Sequence, residues 1–480
     1  MISSIKLLLP EIFLSGIAIF LLLLDTAKDV QIKRWSYPIA LFSLFFSFFL
    51  IGVSEHGISF QMLAIDPFSS FFKTLTVLSC LLVVLISSKD LDLMGEQPGA
   101  YLSLLILSSV GTLFLSSVQD FFMLFVGLEL TTIPLFILAG FAKKELKSSE
   151  GAIKFFLVGA FSTGIMLYGI SLIYGLCGST HFSAAQDYLN LTSGMAQDKT
   201  LFILAVIFIL VGLGFKLSLV PFHQWTPDTY EGAPTPVTAF FSVSREAGVI
   251  VVMLRFFNDF ANQSLIGLNE FFTLLAILTM TVGNIAALKQ ENLKRLLAYS
   301  SIAHAGTIFI GLVAGNVLGR EGVMLYSLAY FLMSLGAFAV VIVISQIRKS
   351  EELLAFQGLA RQNFPLAFLM LIFLMSLSGI PPFLGFWGKF YVFAAAIQSK
   401  MFVLVAVGLL NSVIAVYYYF KIVHAMFFKE PIENMTPIPK NINQTSLTIA
   451  TGFAAFLILC FGIFPEQLIS WIKGSAPFLP

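Results

Sequence analysis

The sequence predicts an all-α, polytopic membrane protein of about fourteen transmembrane helices, and three observations carry that class. The chain of 480 residues is 58% hydrophobic and 11% charged, with 52 phenylalanines. A soluble domain of that length could not hide so much apolar surface. Apolar windows long enough to cross a bilayer, about 17 residues or more, recur from one end to the other. The loops between them share their positive charge unequally, as membrane proteins do.

The predicted spans are 5–24, 36–53, 67–88, 99–117, 120–141, 149–175, 200–222, 234–257, 269–288, 294–314, 321–345, 366–396, 401–425 and 446–464. The first follows Lys6 and has the look of a signal peptide. Glu11 after Pro10 and the lack of a small-residue cleavage site predict a retained helix instead. Of the 27 Lys and Arg, seven fall within spans: Lys73, Lys154, Lys216, Arg245, Arg255, Lys389 and Lys421. Fifteen fall in odd-numbered loops, among them Lys28, Lys33, Arg34, Lys89, Lys143, Lys144, Lys147, Arg348 and Lys440, against five in the tails and even-numbered loops. Positive residues collect on the cytoplasmic side, so the odd loops are predicted there and both termini on the other face.

No loop is long enough for a soluble domain; the largest, around Gly178–Thr200, is roughly twenty residues. The chain is therefore read as one membrane domain. Three N-terminal helices (1–98) precede a first repeat (99–257), a second repeat (269–425) and a last helix (446–464). Spans seven and twelve are both interrupted by proline and stand five spans apart. An odd offset reverses orientation, so spans 4–8 and 9–13 are predicted to form two inverted five-helix repeats, as in many transporters.

Several function classes are excluded. A net charge of +1 argues against nucleic acid. Cys80, Cys177 and Cys460 lack CxxC or Cys/His spacing, so neither a metal site nor a disulfide framework is expected. No dinucleotide loop, P-loop or iron–sulfur pattern occurs, so any redox chemistry belongs to another chain.

The informative residues are charges in apolar spans. Lys216 lies in the run 201–221, where a lysine costs about 2.5–3.5 kcal/mol on insertion scales. Lys389 occupies a similar place in 366–396. Pro221 frees the carbonyl of Leu217, and Pro381 and Pro382 free those of Leu377 and Ser378. Freed carbonyls at membrane depth are tolerated where water or protein satisfies them, so the breaks mark hydrated cavities; a plain kink is the alternative. Two lysines beside two breaks imply a path for charge.

Glu129 lies mid-span. A lone buried carboxylate takes up a proton, whereas an opposing ammonium keeps it charged. Lys216 is its natural partner by depth, as a relay pair or as a static bridge. Span eight carries Arg245 and Glu246. Arginine stays protonated, so Arg245 suits a fixed counter-charge rather than a shuttle. Neighbours on a helix point about 100° apart, so the two need not pair. His223 and His304 are further relay candidates, with simple hydrogen bonding as the alternative. Lys154, Lys294 and Arg295 stand near cytoplasmic ends, where snorkelling explains them.

The run from Val220 to Ser242, VPFHQWTPDTYEGAPTPVTAFFS, resembles the N-subunit family of bacterial NADH:quinone oxidoreductase, respiratory complex I. So do Gly127–Leu130 (GLEL), Glu150–Gly159 (EGAIKFFLVG), Asn292–Ile302 (NLKRLLAYSSI), Leu335–Ala339 (LGAFA), Gly379–Pro382 (GIPP) and Gly388–Tyr391 (GKFY). The match runs in order from the first span to the last. The resemblance implies an antiporter-like proton-translocating subunit of a bacterial inner-membrane complex. Its partners would be other membrane-arm subunits, neighbouring antiporter-like subunits and membrane lipids. NADH, FMN, iron–sulfur clusters and quinone would bind elsewhere, leaving no cofactor in this chain. The family's glutamate on span five falls on Glu129, its span-seven lysine on Lys216 and its span-twelve lysine on Lys389. One position departs: where the family commonly has a span-eight lysine, this chain has Glu246, preceded by Arg245. Two rivals share the same lysines or fold, a multisubunit sodium/proton antiporter and a non-conducting scaffold. The run TPDTYEGAP favours the N-type, because antiporter and L/M-type sequences usually read Leu-Pro-x-Ala-His there.

Overall fold

Backbone polar groups inside a bilayer must be satisfied within their own segment, which leaves helices as the way to bury these apolar runs. The computed structural model describes residues 2–88, 97–191, 196–262, 268–433, 435–439 and 445–477. Lys89 and Lys440, two of the loop charges, lie outside them. Twelve helices among the described residues are long and apolar enough to cross a membrane. The seventeen-residue helix Leu9–Asp25 supplies the first span. A broken pair, Phe364–Ser378 and Leu384–Gln398, supplies the twelfth.

Polar caps set where several spans start. Asp66 accepts from the Ser69 amide while the Ser69 side chain accepts from the Asp66 amide, a capping box that opens span three, Pro67–Ile86,. Asp120 caps span five (Phe121–Ala139), Asn292 caps span ten (Leu293–Ala314) and Asn316 caps span eleven (Val317–Arg348). Each side chain satisfies amides that the first turn leaves without partners. Between spans two and three the chain makes a small antiparallel hairpin, Gly57–Ser59 with Leu63–Ile65, in which Ile58 faces Ala64.

Spans eight, ten and eleven form the buried axis of the bundle, almost wholly shielded along their lengths. Span two (Ser36–Val53), span six (Leu146–Cys177), span thirteen (Phe402–Phe428) and span fourteen (Thr445–Ile463) show large apolar faces outward, including Phe42, Phe45, Phe161 and Val413. The phenylalanine excess thus serves both core and perimeter. Spans four (Pro98–Ser117) and five approach so closely that a Cβ on Gly111 would lie 2.4 Å from the Thr131 amide nitrogen. Spans six and eleven are both 32-residue helices, and each packs against one of the broken spans.

Three boundaries differ from the sequence expectation. The span-seven helix, Ala196–Lys216, ends at Lys216 itself; turns follow, then a short helix Trp225–Gly232. Lys216 is therefore the last helical residue rather than one in mid-helix. Pro221 sits in the turns, so its missing amide shapes the connection and not a continuous helix. Span eight is also broken: Thr235–Phe241 stops before Ser242–Val243 and the chain resumes as Ser244–Asn262. No proline or glycine marks that interruption, which is why the sequence pattern runs straight through it. The long loop after span six also contains a helix, Phe182–Leu191.

One buried ion pair joins the first and third N-terminal helices, and a second ties the start of the third to span eight. Glu11 and Lys73 approach to 2.6 Å, and Arg255 Nη2 meets both oxygens of Asp66 at 2.8 and 3.0 Å. A buried pair is costly to break because the survivor keeps its desolvation penalty. Arg255→Ala is expected to destabilise the protein by about 3–5 kcal/mol. The double variant Asp66→Leu/Arg255→Met should lose less than either single replacement. Thermal unfolding midpoints of the detergent-solubilised protein check both.

Candidate functional site

Span five carries the acid and two hydroxyls on its inner side. Pro134 removes one helical hydrogen bond, leaving the Leu130 carbonyl without its usual donor,. Within the same turns the Thr131 hydroxyl donates to the Gly127 carbonyl at 2.8 Å, and Thr132 donates to the Leu128 carbonyl. Lys216 reaches this face from the end of span seven. Its Nζ donates to Thr132 Oγ1 at 2.6 Å and stands 3.7 Å from Glu129 Oε1. The Thr163 hydroxyl donates to Glu129 Oε1 at 3.0 Å. The lysine is fully buried, whereas the glutamate side chain is 24% exposed, so only the acid has contact with the outside of the chain. Phe136 and Phe215 place their rings 5.9 Å from the ammonium, a distance at which ring faces attract a cation,.

The turn after Lys216 joins this pair to span eight. Ser218 takes a left-handed conformation, φ +58°, which costs a non-glycine residue about 1–2 kcal/mol,. Its hydroxyl oxygen accepts from Thr226 at 2.7 Å and from Arg245 Nη2 at 3.3 Å, and these bonds hold the turn. The Arg245 guanidinium lies over the Trp225 ring, 4.5 Å from its centroid. Arg245 and Glu246 do meet, at 3.7 Å, although neighbouring helical side chains normally diverge. The break at Ser242–Val243 places both in the first turn of the second half-helix, where the chain has just changed direction. Glu246 Oε1 accepts from Ser301 at 2.8 Å. Arg245 Nε and Nη1 and Glu246 Oε2 are buried with no hydrogen-bond partner among the described residues. Such atoms are the usual bonding sites of internal water.

Lys389 belongs to the second broken span. The carbonyls freed there are the ones it binds: Nζ donates to Ser378 O at 2.9 Å and to Leu377 O at 3.3 Å. Gly379, φ +80°, makes the turn and also leaves room, since a Cβ there would lie 2.6 Å from Lys389 Cδ. His304 shares with Lys389 a polar cavity of about 10 Å³ lined also by Asn284, Thr307 and Asn411. That is space for about one water. His304 Nδ1 lies 2.7 Å from the Tyr326 hydroxyl and Nε2 lies 3.0 Å from that of Tyr419.

The structure thus brings Glu129 with Lys216, Arg245 with Glu246, and His304 with Lys389. His223 stays apart: it is half-buried in the span-seven turns, and its Nδ1 has no hydrogen-bond partner among the described residues. Snorkelling does not describe the basic residues near the span ends. Lys294 is buried, donates to Ala233 O at 2.8 Å and pairs with Glu351 at 3.0 Å. Lys154 pairs with Glu150 and Asp228, and Arg295 bridges Asp228 and Glu231. A cavity of about 150 Å³ opens among Lys147, Glu150, Asp228, Glu231 and Arg295. Sequence reasoning also passed over Thr132, Ser218, Ser301 and the buried tyrosines. Their signal was present as polar residues at helical spacing, Ser300, His304 and Thr307 on span ten and Tyr326, Tyr330 and Ser334 on span eleven,. No group of His, Cys, Asp or Glu suited to a metal ion occurs among the described residues.

Residues 118–415 match the family model described as NADH:quinone oxidoreductase/Mrp antiporter, transmembrane. NADH-quinone oxidoreductase subunit N 1 of Chloroherpeton thalassium is 39% identical over the whole of this chain and 99% of its own length. The chain belongs to the subunit N family of NADH-quinone oxidoreductases. A chain of respiratory complex I from Thermus thermophilus, solved with bound aureothin, superposes on this subunit N homologue with a TM-score of 0.81. It is 32% identical, with 96% of this chain and 98% of that one covered. A chain of the Mrp complex from a Dietzia species gives a TM-score of 0.83 at 19% identity, covering 98% and 97%, which shows a shared fold.

Asp228 and Glu231 lie between spans seven and eight. Burial raises both carboxyls, but the hydrogen bonds and charges of Lys154 and Arg295 at Asp228, and of Lys147 and Arg295 at Glu231, outweigh it and hold both below their ordinary values. A depressed folded value means that the unfolded chain binds protons first. The stabilisation is therefore complete above about pH 5 and is lost as pH falls below about 4. Arg295→Met should lower the unfolding midpoint at pH 7, and the difference from the parent should shrink as pH falls through and below the ordinary carboxylate range,.

Proposed function

We propose that the chain is a proton-translocating membrane-arm subunit of an NADH:quinone oxidoreductase. Protons would pass along Glu129, Lys216, the Arg245/Glu246 pair, His304 and Lys389 while other subunits carry electrons from NADH to quinone. The observation that carries this reading is the succession of three buried groupings on and beside the axis of the bundle, Glu129 with Lys216, Arg245 with Glu246, and His304 with Lys389. The Glu129–Lys216 contact lets each group set the proton affinity of the other. Arg245 supplies a fixed positive charge beside Glu246, an acid that can carry a proton,. Lys389, resting on two carbonyls freed by the helix break, is the terminal site for exchange.

The two 32-residue helices at spans six and eleven, each against a broken span, support the inverted-repeat reading of 99–257 and 269–425. The loop charges support an inner-membrane orientation with both termini outside the cytoplasm. NADH, FMN, iron–sulfur clusters and quinone would reside in partner subunits. The full-length identity to subunit N chains favours this role over a sodium/proton antiporter subunit, for which the likeness is one of fold.

Lys216→Ala should leave the complex assembled, with NADH oxidation by a hydrophilic acceptor intact, and lower NADH-driven proton pumping by about tenfold. Unchanged pumping would point to a scaffold, and a sodium requirement for turnover to the antiporter role. Glu246→Lys sets a second cation beside Arg245 and removes the acceptor of Ser301. It is expected to lower pumping rather than restore a missing lysine; improved pumping would show that the pair is a compromise.

A further inference from the structure

The eight-residue helix Trp225–Gly232, between spans seven and eight, lies beside the buried charges and is too short to hold itself. An isolated helix under about twelve residues is marginal in water, so its place is set by what grips it. One side of it touches the site. The Thr226 hydroxyl donates to Ser218 at 2.7 Å, and the Arg245 guanidinium lies over the Trp225 ring. Asp228 stands about 200° around the helix from Thr226 and meets the outer ions. There Arg295 Nη1 meets Asp228 Oδ1 at 2.8 Å and Glu231 Oε2 at 2.9 Å. Its neighbour Lys294 donates to the Ala233 carbonyl at the end of the same helix. Span six grips the helix by other means: Phe155 stacks on Trp225, centroids 4.2 Å apart, and Thr229 donates to the Gly151 carbonyl at 3.1 Å.

From this arrangement we infer that Arg295 is a positioning residue. By holding Asp228 and Glu231 it fixes the helix Trp225–Gly232, and through Trp225 and Thr226 that helix fixes Arg245 and the Ser218 turn beside Lys216. The inference rests on the proton-translocation reading above and adds no proton-carrying group to it. Span ten is suited to be the reference for this placement. It is almost wholly buried, and its Ser301, six residues beyond Arg295, donates to Glu246. One helix thus holds both the short helix and the acid next to Arg245. Asp228 and Glu231 are like charges one turn apart, which repel unless a cation lies between them. Lys147 and Lys154 also reach these carboxylates, but both stand on span six and are more exposed than Arg295. Exposed pairs contribute little to holding a geometry. A shift of about 1 Å in groups that must meet is enough to slow a reaction by a large factor.

In the assembled complex Arg295→Gln should lower NADH-driven pumping by about tenfold, with NADH oxidation by a hydrophilic acceptor unchanged. Arg295→Lys keeps the charge and should recover most of the loss. Arg361→Gln, which removes an exposed ion pair with Glu430, should pump normally. A merely local role would not couple Arg295 to a hydroxyl that it does not touch. Thr226→Val alone should lower pumping severalfold, and the double variant with Arg295→Gln should pump no worse than Arg295→Gln alone. Losses that multiply in the double variant would overturn the positioning role. If Arg295→Gln does not assemble, Glu231→Gln takes its place in the same cycle with the same expected outcome. Parent-level pumping in these variants, with pumping lost in Lys216→Ala, would overturn the positioning role and leave the lysine path standing. Parent-level pumping in Lys216→Ala as well would overturn both.

Discussion

Every charge that this bundle holds away from water must be answered by another atom, and the Lys216 ammonium sets the pattern for the rest. It is wholly buried, yet it meets a carboxylate, a hydroxyl and two aromatic faces. An ion in such surroundings would otherwise cost several kcal/mol. To bring those partners together, span five keeps Pro134 and two back-bonded threonines, span seven stops at the lysine, and Ser218 accepts a strained backbone. The irregular backbone of the bundle is thus concentrated where charges have to be met.

The same requirement explains the other broken spans. Lys389 binds the carbonyls released by the Pro381–Pro382 break, so the interruption and the charge satisfy each other. At span eight, the change of direction at Ser242–Val243 sets Arg245 beside Glu246, and the acid accepts from Ser301 of span ten. Each break supplies polar groups that a straight apolar helix would have consumed internally. These centres lie on or against the innermost helices, while the outer ones present phenylalanine and aliphatic side chains to the surroundings.

Much of this was legible in the residues themselves. Hydropathy and loop charge define fourteen spans, and prolines locate two of the breaks. Cost alone singles out Lys216, Lys389 and Glu129. Matching depth makes Lys216 the natural partner of Glu129, and the fold brings the two to 3.7 Å. What the pattern concealed has a common cause: it consists of neutral or locally unmarked features. The span-eight interruption has no proline or glycine. Thr132, Ser218, Ser301 and Tyr419 are ordinary in apolar helices, where hydroxyls often bond their own backbone. Lys294 and Arg295 look like snorkelling ends until Glu351, Asp228 and Glu231, far away in sequence, are seen to meet them. Partner choice over such distances is a tertiary property, set by packing rather than by local composition.

The central claim is that Glu129 and Lys216 act as one unit in moving protons, each setting the affinity of the other. A double-mutant cycle tests it most directly, with Glu129→Gln, Lys216→Met and the combination compared by NADH-driven proton pumping in the intact complex. If the pair is one unit, the double variant pumps no worse than Lys216→Met alone. Independent losses that multiply in the double variant would contradict the account.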